Sequence, residues 1–413
     1  MPPTDNHGSF LTRISIRRNQ VVSMDINHEQ ELEEIESFQK HVSDRFTQLL
    51  PPIAGAGEET TVVGIDTPEP LLSIDWFRKL LDAYLCCESE FKAVLIIGRD
   101  ATHFSKPPLD RLLPEHLDRT VKALDICNAI THGIELIRHW QRLAQIAVEA
   151  LQQRPIVEGH VRRAKRALNT LLTSMTVNDK EINHHPGKSA ERMWSISRRG
   201  GGGVPPAVNH NRTTIGKPRS FSYCFSKSWS ASKQIQAMSN NLVVPRGGEP
   251  TGLAQPVYIM SSVLVVVMWT LVAAVPCQDR AGLGGHFQVP RHVGSGWAHP
   301  MIGLQEKVGE EWKKKGAGAA AGAGLLAEIQ VTESIAQKLV EFTEGFEFPV
   351  GAEKADEVGA QVVELAEMCR RMEVGLGPLQ LQVRELFHRM VRSRAEILAV
   401  MEQVGKITTS VPY

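Results

Sequence analysis

The chain has 413 residues with 46 basic and 46 acidic side chains, so no net field draws it to nucleic acid or to an anionic surface. Aromatic residues make up 6%, which is low for a β-rich or carbohydrate-binding protein. Six cysteines (Cys86, Cys87, Cys127, Cys224, Cys277 and Cys369) show neither metal-ligand spacing nor a disulfide framework, which points to a reducing compartment.

Residues 1–27 read as a polar, basic tail. MPPTDNHGSF has no apolar segment of the secretory kind, and Pro2 excludes N-myristoylation. Arg13, Arg17 and Arg18 give a transit-like flavour, against which Asp5 and the shortness of the segment count. From 28 to 176 the apolar residues recur at helical spacing. The first predicted helix runs from His28 to Leu50, with Leu32, Ile35, Phe38, Val42, Phe46 and Leu49 on one face and Pro51-Pro52 as its stop. Ser73 is placed to cap a second helix whose stripe is Phe77, Leu80, Tyr84, Cys87, Phe91 and Val94, the pattern of a helix lying along a partner. Cys87 on that stripe reads as a packed thiol.

Pro114 fits the first turn of a third, long helix ending near Gln153, where Gly133 either bends it or admits a close neighbour. Its predicted inward residues run from Leu117 through Val121, Leu124, Cys127, Ile130, Ile134, Ile137, Ala144 and Val148 to Leu151. A fourth helix follows Pro155, with Val157, Val161, Leu168, Leu171 and Met175 inward and Arg162, Arg163, Lys165 and Arg166 outward. That cluster suits an acidic partner or acidic lipid headgroups, or is only the solvated side of an amphipathic helix.

Residues 177–255 lose periodicity and read as a disordered basic linker, within which Asn211-Arg-Thr is a formal glycosylation sequon that stays silent in a cytosolic segment. Next comes an uncharged run, VYIMSSVLVVVMWTLVAAV, framed by Pro256 and Pro276. As a helix it measures about 28 Å, close to bilayer thickness. Val257, Leu264, Val265, Val266, Val267, Trp269, Leu271 and Val275 are its candidate lipid-facing residues. The competing interpretation is a core helix buried all round inside a soluble bundle.

Cys277, just past the run, is a candidate for lipidation if that end is cytosolic. Residues 277–324 form a Gly- and His-containing loop and hinge with one short amphipathic piece from Leu304 to Lys315. Residues 325–413 read as a second helical module: helices over 325–342, 352–372 and 379–404, the last two joined by a turn at Gly375 and Gly377-Pro378. If the span is real and the basic linker faces the cytosol, this module lies across the membrane.

No reaction chemistry emerges. His286, His292 and His299 lack a completing cysteine or carboxylate, and the Gly-rich 316–324 stretch lacks the Gly-Lys-Ser/Thr ending of a phosphate loop. The basic linker has no aromatic interleaving of a nucleic-acid reader. The composition therefore predicts an all-α protein with no catalytic, cofactor or metal site and no small-molecule substrate.

Five blocks carry a resemblance: SIRRNQVVSMD at 15–25, WFRKLLDAYLCCESEFKAVL at 76–95, LDICNAITHGIELIRHWQRLA at 124–144, the stretch 244–280 around the apolar run, and LAEMCRRMEVGLGPLQLQVRELFHRMVRSRAEIL at 365–398. They resemble the plant BYPASS-related family and are most similar to its ROH-type members. The resemblance implies an all-helical, non-enzymatic protein that binds an exocyst subunit and acts on targeted secretion. BYPASS-type relatives imply an alternative, restraint of a mobile root-derived signal. The corresponding location is a membrane, single-pass or peripheral, with the bulk of the chain in the cytosol. A soluble cytosolic protein is the alternative.

Overall fold

The computed structural model describes residues 10–51, 70–96, 101–176, 229–240, 252–277, 296–315, 323–344 and 352–409, together with Leu242 and Leu283. Among them there are nine α-helices and no strand: α1 Phe10–Thr47, α2 Ile74–Ile96, α3 Leu109–Leu151, α4 Glu158–Thr176, α5 Ala231–Ser239, α6 Ala254–Ala274, α7 Ala298–Lys315, α8 Ala327–Glu344 and α9 Ala352–Thr409. A short 3₁₀ turn, Ala101–Ser105, precedes α3.

Most of the predicted stripes become the core, but Val157, expected inward, precedes α4 and is 47% exposed. Ile35, Phe38, Val42, Phe46 and Leu49 of the first helix are buried, whereas Leu32 is 38% exposed, one turn before the part of α1 that enters the bundle. The Ser73 hydroxyl accepts from the Trp76 N–H at 3.1 Å, the cap that the sequence suggested. Phe77, Leu80, Tyr84, Cys87 and Phe91 are buried and Val94 is half-buried. On α3 the stripe from Cys127 to Leu151 is buried, but Val121 faces out. This helix begins at Leu109, not at Pro114, which lies inside it. Pro114 and Asp110, the residue whose carbonyl loses its helical donor, are both exposed, so water can serve that carbonyl.

The uncharged run forms α6, and α6 is the axis of the molecule. It is long and apolar enough to cross a membrane by length and composition. Here α1, α2, α3, α5 and α7 pack around it, and every residue from Pro256 to Ala274 is buried. Val257, Leu264, Val265, Val266, Val267, Trp269, Leu271 and Val275, the candidate lipid-facing residues, therefore all have protein neighbours, the arrangement of the core-helix alternative. Gly133 supplies the close neighbour: a Cβ there would sit 2.3 Å from the Pro276 carbonyl oxygen and 2.5 Å from Val275 Cγ1. The N–H groups of Leu325 and Leu326 donate to the carbonyls of Ala273 and Ala274 at 3.2 Å, satisfying orphan acceptors at the end of α6. Gly324, with φ of 82°, turns the chain into that position.

Other expectations change: α1 begins at Phe10, inside the expected tail of residues 1–27. Residues 231–239, inside the expected linker, form α5, capped by Ser230 and packed on α3 and α6 through Ala231, Ile235 and Met238. Three inward residues are too few for periodicity to stand out. The expected turn at Gly375–Pro378 is instead the middle of α9, a helix of 58 residues, about 87 Å long. Gly375 is small because a Cβ there would come within 2.7 Å of Ile74 Cγ2, so its role is close packing against α2. Another concerns sidedness. α9 runs parallel to α2, with Gln382 Nε2 donating to Asp82 Oδ1 at 2.7 Å and Lys92 paired to Glu396 at 2.8 Å. It runs antiparallel to α3, with Gln380 Nε2 donating to Glu135 Oε1 at 2.8 Å and Cys369 Sγ to the Gln141 carbonyl at 3.9 Å. The helices after the apolar run thus pack in one bundle with those before it, an arrangement that does not match modules on opposite sides of a membrane.

Candidate interaction surfaces

Several buried polar groups make structural contacts. His116 of α3 sits with Nδ1 2.9 Å from Ser261 Oγ of α6 and its ring against Phe91. Burial, with a smaller contribution from Arg119, pushes its pKa down to about 4, so it stays neutral. Arg119, 5% exposed, donates from Nε to the Met238 carbonyl at 3.0 Å and so fixes the last turn of α5, where a cation suits the helix dipole. Glu328 accepts from the Ile74 N–H at 3.1 Å and caps α2 from the start of α8; burial raises its pKa. Ser262 and Thr270 return their hydroxyls to carbonyls of α6 itself. The sequence carried a faint signal for the first contact: a histidine on an otherwise apolar stripe and a serine pair in an otherwise apolar helix.

Thiol chemistry is suppressed in the same way. Burial pushes Cys87, Cys127 and Cys369 up to about 12, which keeps them as thiols and not nucleophilic thiolates. Cys277, the lipidation candidate, is 7% exposed and follows Pro276, whose carbonyl oxygen comes close to Gly133. Among the described residues no three His, Cys, Asp or Glu side chains gather as a metal site. His299 is exposed at the start of α7, while His286, His292, Cys224 and Asn211 lie outside the described residues.

The basic cluster falls on the outer side of α4, as its spacing predicts. Val161, Ala164, Ala167, Leu168, Leu171 and Met175 face α3 and α8, leaving Arg162, Arg163 and Arg166 exposed. Arg162 pairs with Glu158 one turn back, and Lys165 reaches Glu344 of α8 at 3.5 Å. Arg163 and Arg166 have no ion pair among the described residues. Arg162, Lys165 and Arg166, with Asn169, Thr170, Thr173 and Ser174, line a shallow open groove of cations, amide and hydroxyls. It can receive anionic oxygens at the surface, but it encloses nothing.

A second cleft lies where α2, α8 and α9 meet, lined by Arg78, Asp75, Glu328, Glu367, Arg370 and Arg371 among others. Its charges are already matched: Arg78 with Asp75 at 3.2 Å, and Glu367 with Arg370 at 2.8 Å and Arg371 at 3.0 Å. The two arginines hold Glu367 down to about 2.

The chain matches the family described as "Protein ROH1-like" over residues 1–401. It is 52% identical to Protein ROH1A of Arabidopsis thaliana over 420 aligned positions, covering 99% of each chain. It is 39% identical to Protein ROH1D of the same plant, covering 98% of this chain and 99% of that one. Neither relative has the name of an enzyme. No solved structure matches.

Proposed function

The chain belongs to the ROH1-like family, and from that premise we propose that it is a non-enzymatic helical adaptor that binds an exocyst subunit through the outer face of α4 and modulates polarised secretion. The observation that carries this reading is the α4 surface. Arg163 and Arg166 are exposed and unpaired among the described residues on a helix whose other side is fully used by the core. Cations held at fixed spacing on a rigid helix raise association rates and select acidic partners more than they add raw affinity. His116 and Glu328 join helices, and the buried thiols are held as packed groups.

Attachment to the membrane is peripheral in this reading, through the partner or through acidic headgroups. Its support is the burial of α6, which has no side free for lipid, and the packing of α9 onto α2 and α3. Two measurements test it. Arg162→Glu, Arg163→Glu and Arg166→Glu together are expected to weaken binding of a purified exocyst subunit, most at low salt, with helicity unchanged. Binding that survives at low salt removes the α4 face from the reading. Alkaline carbonate is expected to release the full-length chain from plant membranes; retention after carbonate would restore α6 as a span.

A further inference from the structure

α5 is the shortest α-helix among the described residues, and residues 177–230 separate it from α4 and 240–253 from α6. It rests on α3 and α6 through Ala231, Ile235 and Met238, while Lys233, Gln236 and Ala237 face water. Anchors at i, i+4 and i+7 are how an amphipathic helix lies in a groove. Ser230 caps its start, the hydroxyl accepting from the Lys233 N–H at 3.3 Å. At its other end buried Arg119 of α3 donates from Nε to the Met238 carbonyl at 3.0 Å. The groove therefore sets polarity as well as position, with its cation where the last carbonyls of a docked helix gather.

Nine residues are too few to hold a helix in water alone, so α5 is helical because the groove orders it. The groove has support of its own. α3 and α6 meet directly, with His116 Nδ1 2.9 Å from Ser261 Oγ. Arg119 also keeps Glu115 of its own helix at 3.5 Å, so the departure of α5 strands no lone charge. We infer that the seam between α3 and α6 is a binding groove for a short amphipathic helix, which α5 occupies as a tethered ligand, leaving and returning while the rest of the bundle stays folded. A helix of another protein fits the groove if it carries small or aliphatic residues at i, i+4 and i+7 and ends at Arg119. It enters only where α5 has left. Tethering gives α5 an effective concentration on the order of millimolar, so α5 acts as a plug that an incoming helix must outcompete. The groove does not include α4, and its test does not depend on that face.

Native-state amide exchange of the full chain tests the release of α5. The Asn240 N–H, which donates to the Gln236 carbonyl at 2.9 Å, is expected to exchange at least about 100-fold faster than amides in the middle of α6. Exchange of both in one cooperative step overturns the inference. Ile235→Glu tests the groove: the variant should keep its cooperative thermal transition with the plug displaced. It should then bind a labelled synthetic peptide of residues 228–242 at least about tenfold tighter than the native chain does. The same peptide carrying Ile235→Glu should not bind. Loss of the fold in Ile235→Glu overturns the inference, because α5 is then an inseparable part of the core. Equal binding of the peptide to both chains, or to neither, overturns it as well.

Discussion

α6 and α9 organise the same bundle, and they carry opposite kinds of information. α9 is amphipathic: its buried residues recur every three or four positions from Val358 to Ile397, and the pattern declares which side faces protein. α6 is apolar all round, so its own residues have no phase to declare. Whether lipid or protein surrounds such a helix is decided by its neighbours. Here the neighbours are amphipathic helices whose apolar sides turn inward and whose charged sides turn to water. They cover α6 completely, and Gly133, Leu325 and Leu326 close over its C-terminal end.

The contrast can be broken most forcefully by placing one charge on each helix. Val266→Asp puts a carboxylate at a position with no solvent exposure, and the expected cost is more than about 4 kcal/mol, read as loss of the cooperative thermal transition. Leu381→Asp on the outer face of α9 should change the stability of the chain by less than about 0.5 kcal/mol. Equal effects at the two positions would mean that α6 is not the core of the folded chain.

A smaller effect tests the polar contact that joins α3 to α6. His116 has its pKa depressed by burial from 6.5 to about 4, so the unfolded chain binds its proton more readily than the folded one. Its contribution is fully present above pH 6.5 and is lost as pH falls from there to about 4, by about 3 kcal/mol in all. The stability gap between the native chain and His116→Gln, measured in denaturant, should therefore narrow as pH falls through this window. A gap independent of pH would show that the imidazole is not held neutral in the core.

The gentlest comparison lies within α9, between two glycines two residues apart. Gly375→Ala drives a methyl against Ile74 and should cost about 1–3 kcal/mol. Gly377→Ala meets open space and should stabilise the chain by about 0.5–1 kcal/mol. Matched thermal melts distinguish them, and similar shifts in the same direction would refute the packing assigned to Gly375.

Much of this was readable in advance, and the misses have physical causes. The stripes of α1, α2, α3 and α4 and the exposed arginines of α4 follow from helical period alone. The break expected at Gly375–Pro378 came from treating glycine and proline as punctuation. The spacing of Cys369, Met372, Leu376, Leu379 and Val383 continues through it in phase, which a turn would have disturbed. α5 was missed because nine residues give a period little room to repeat. The close approach of Pro276 to Gly133 is likewise a relation between distant residues that the sequence does not display.

The sequence by itself determined most of the stripes of α1, α2, α3 and α4 and the all-α class, because those depend on residue spacing along one chain. It also carried the family resemblance, in blocks spread over most of its length. Only the tertiary structure decided what surrounds α6, which glycines are small for a neighbour, and that the segments before and after the apolar run share one core. These are relations between elements distant in sequence, set by which apolar surfaces can cover one another, and no local pattern encodes them.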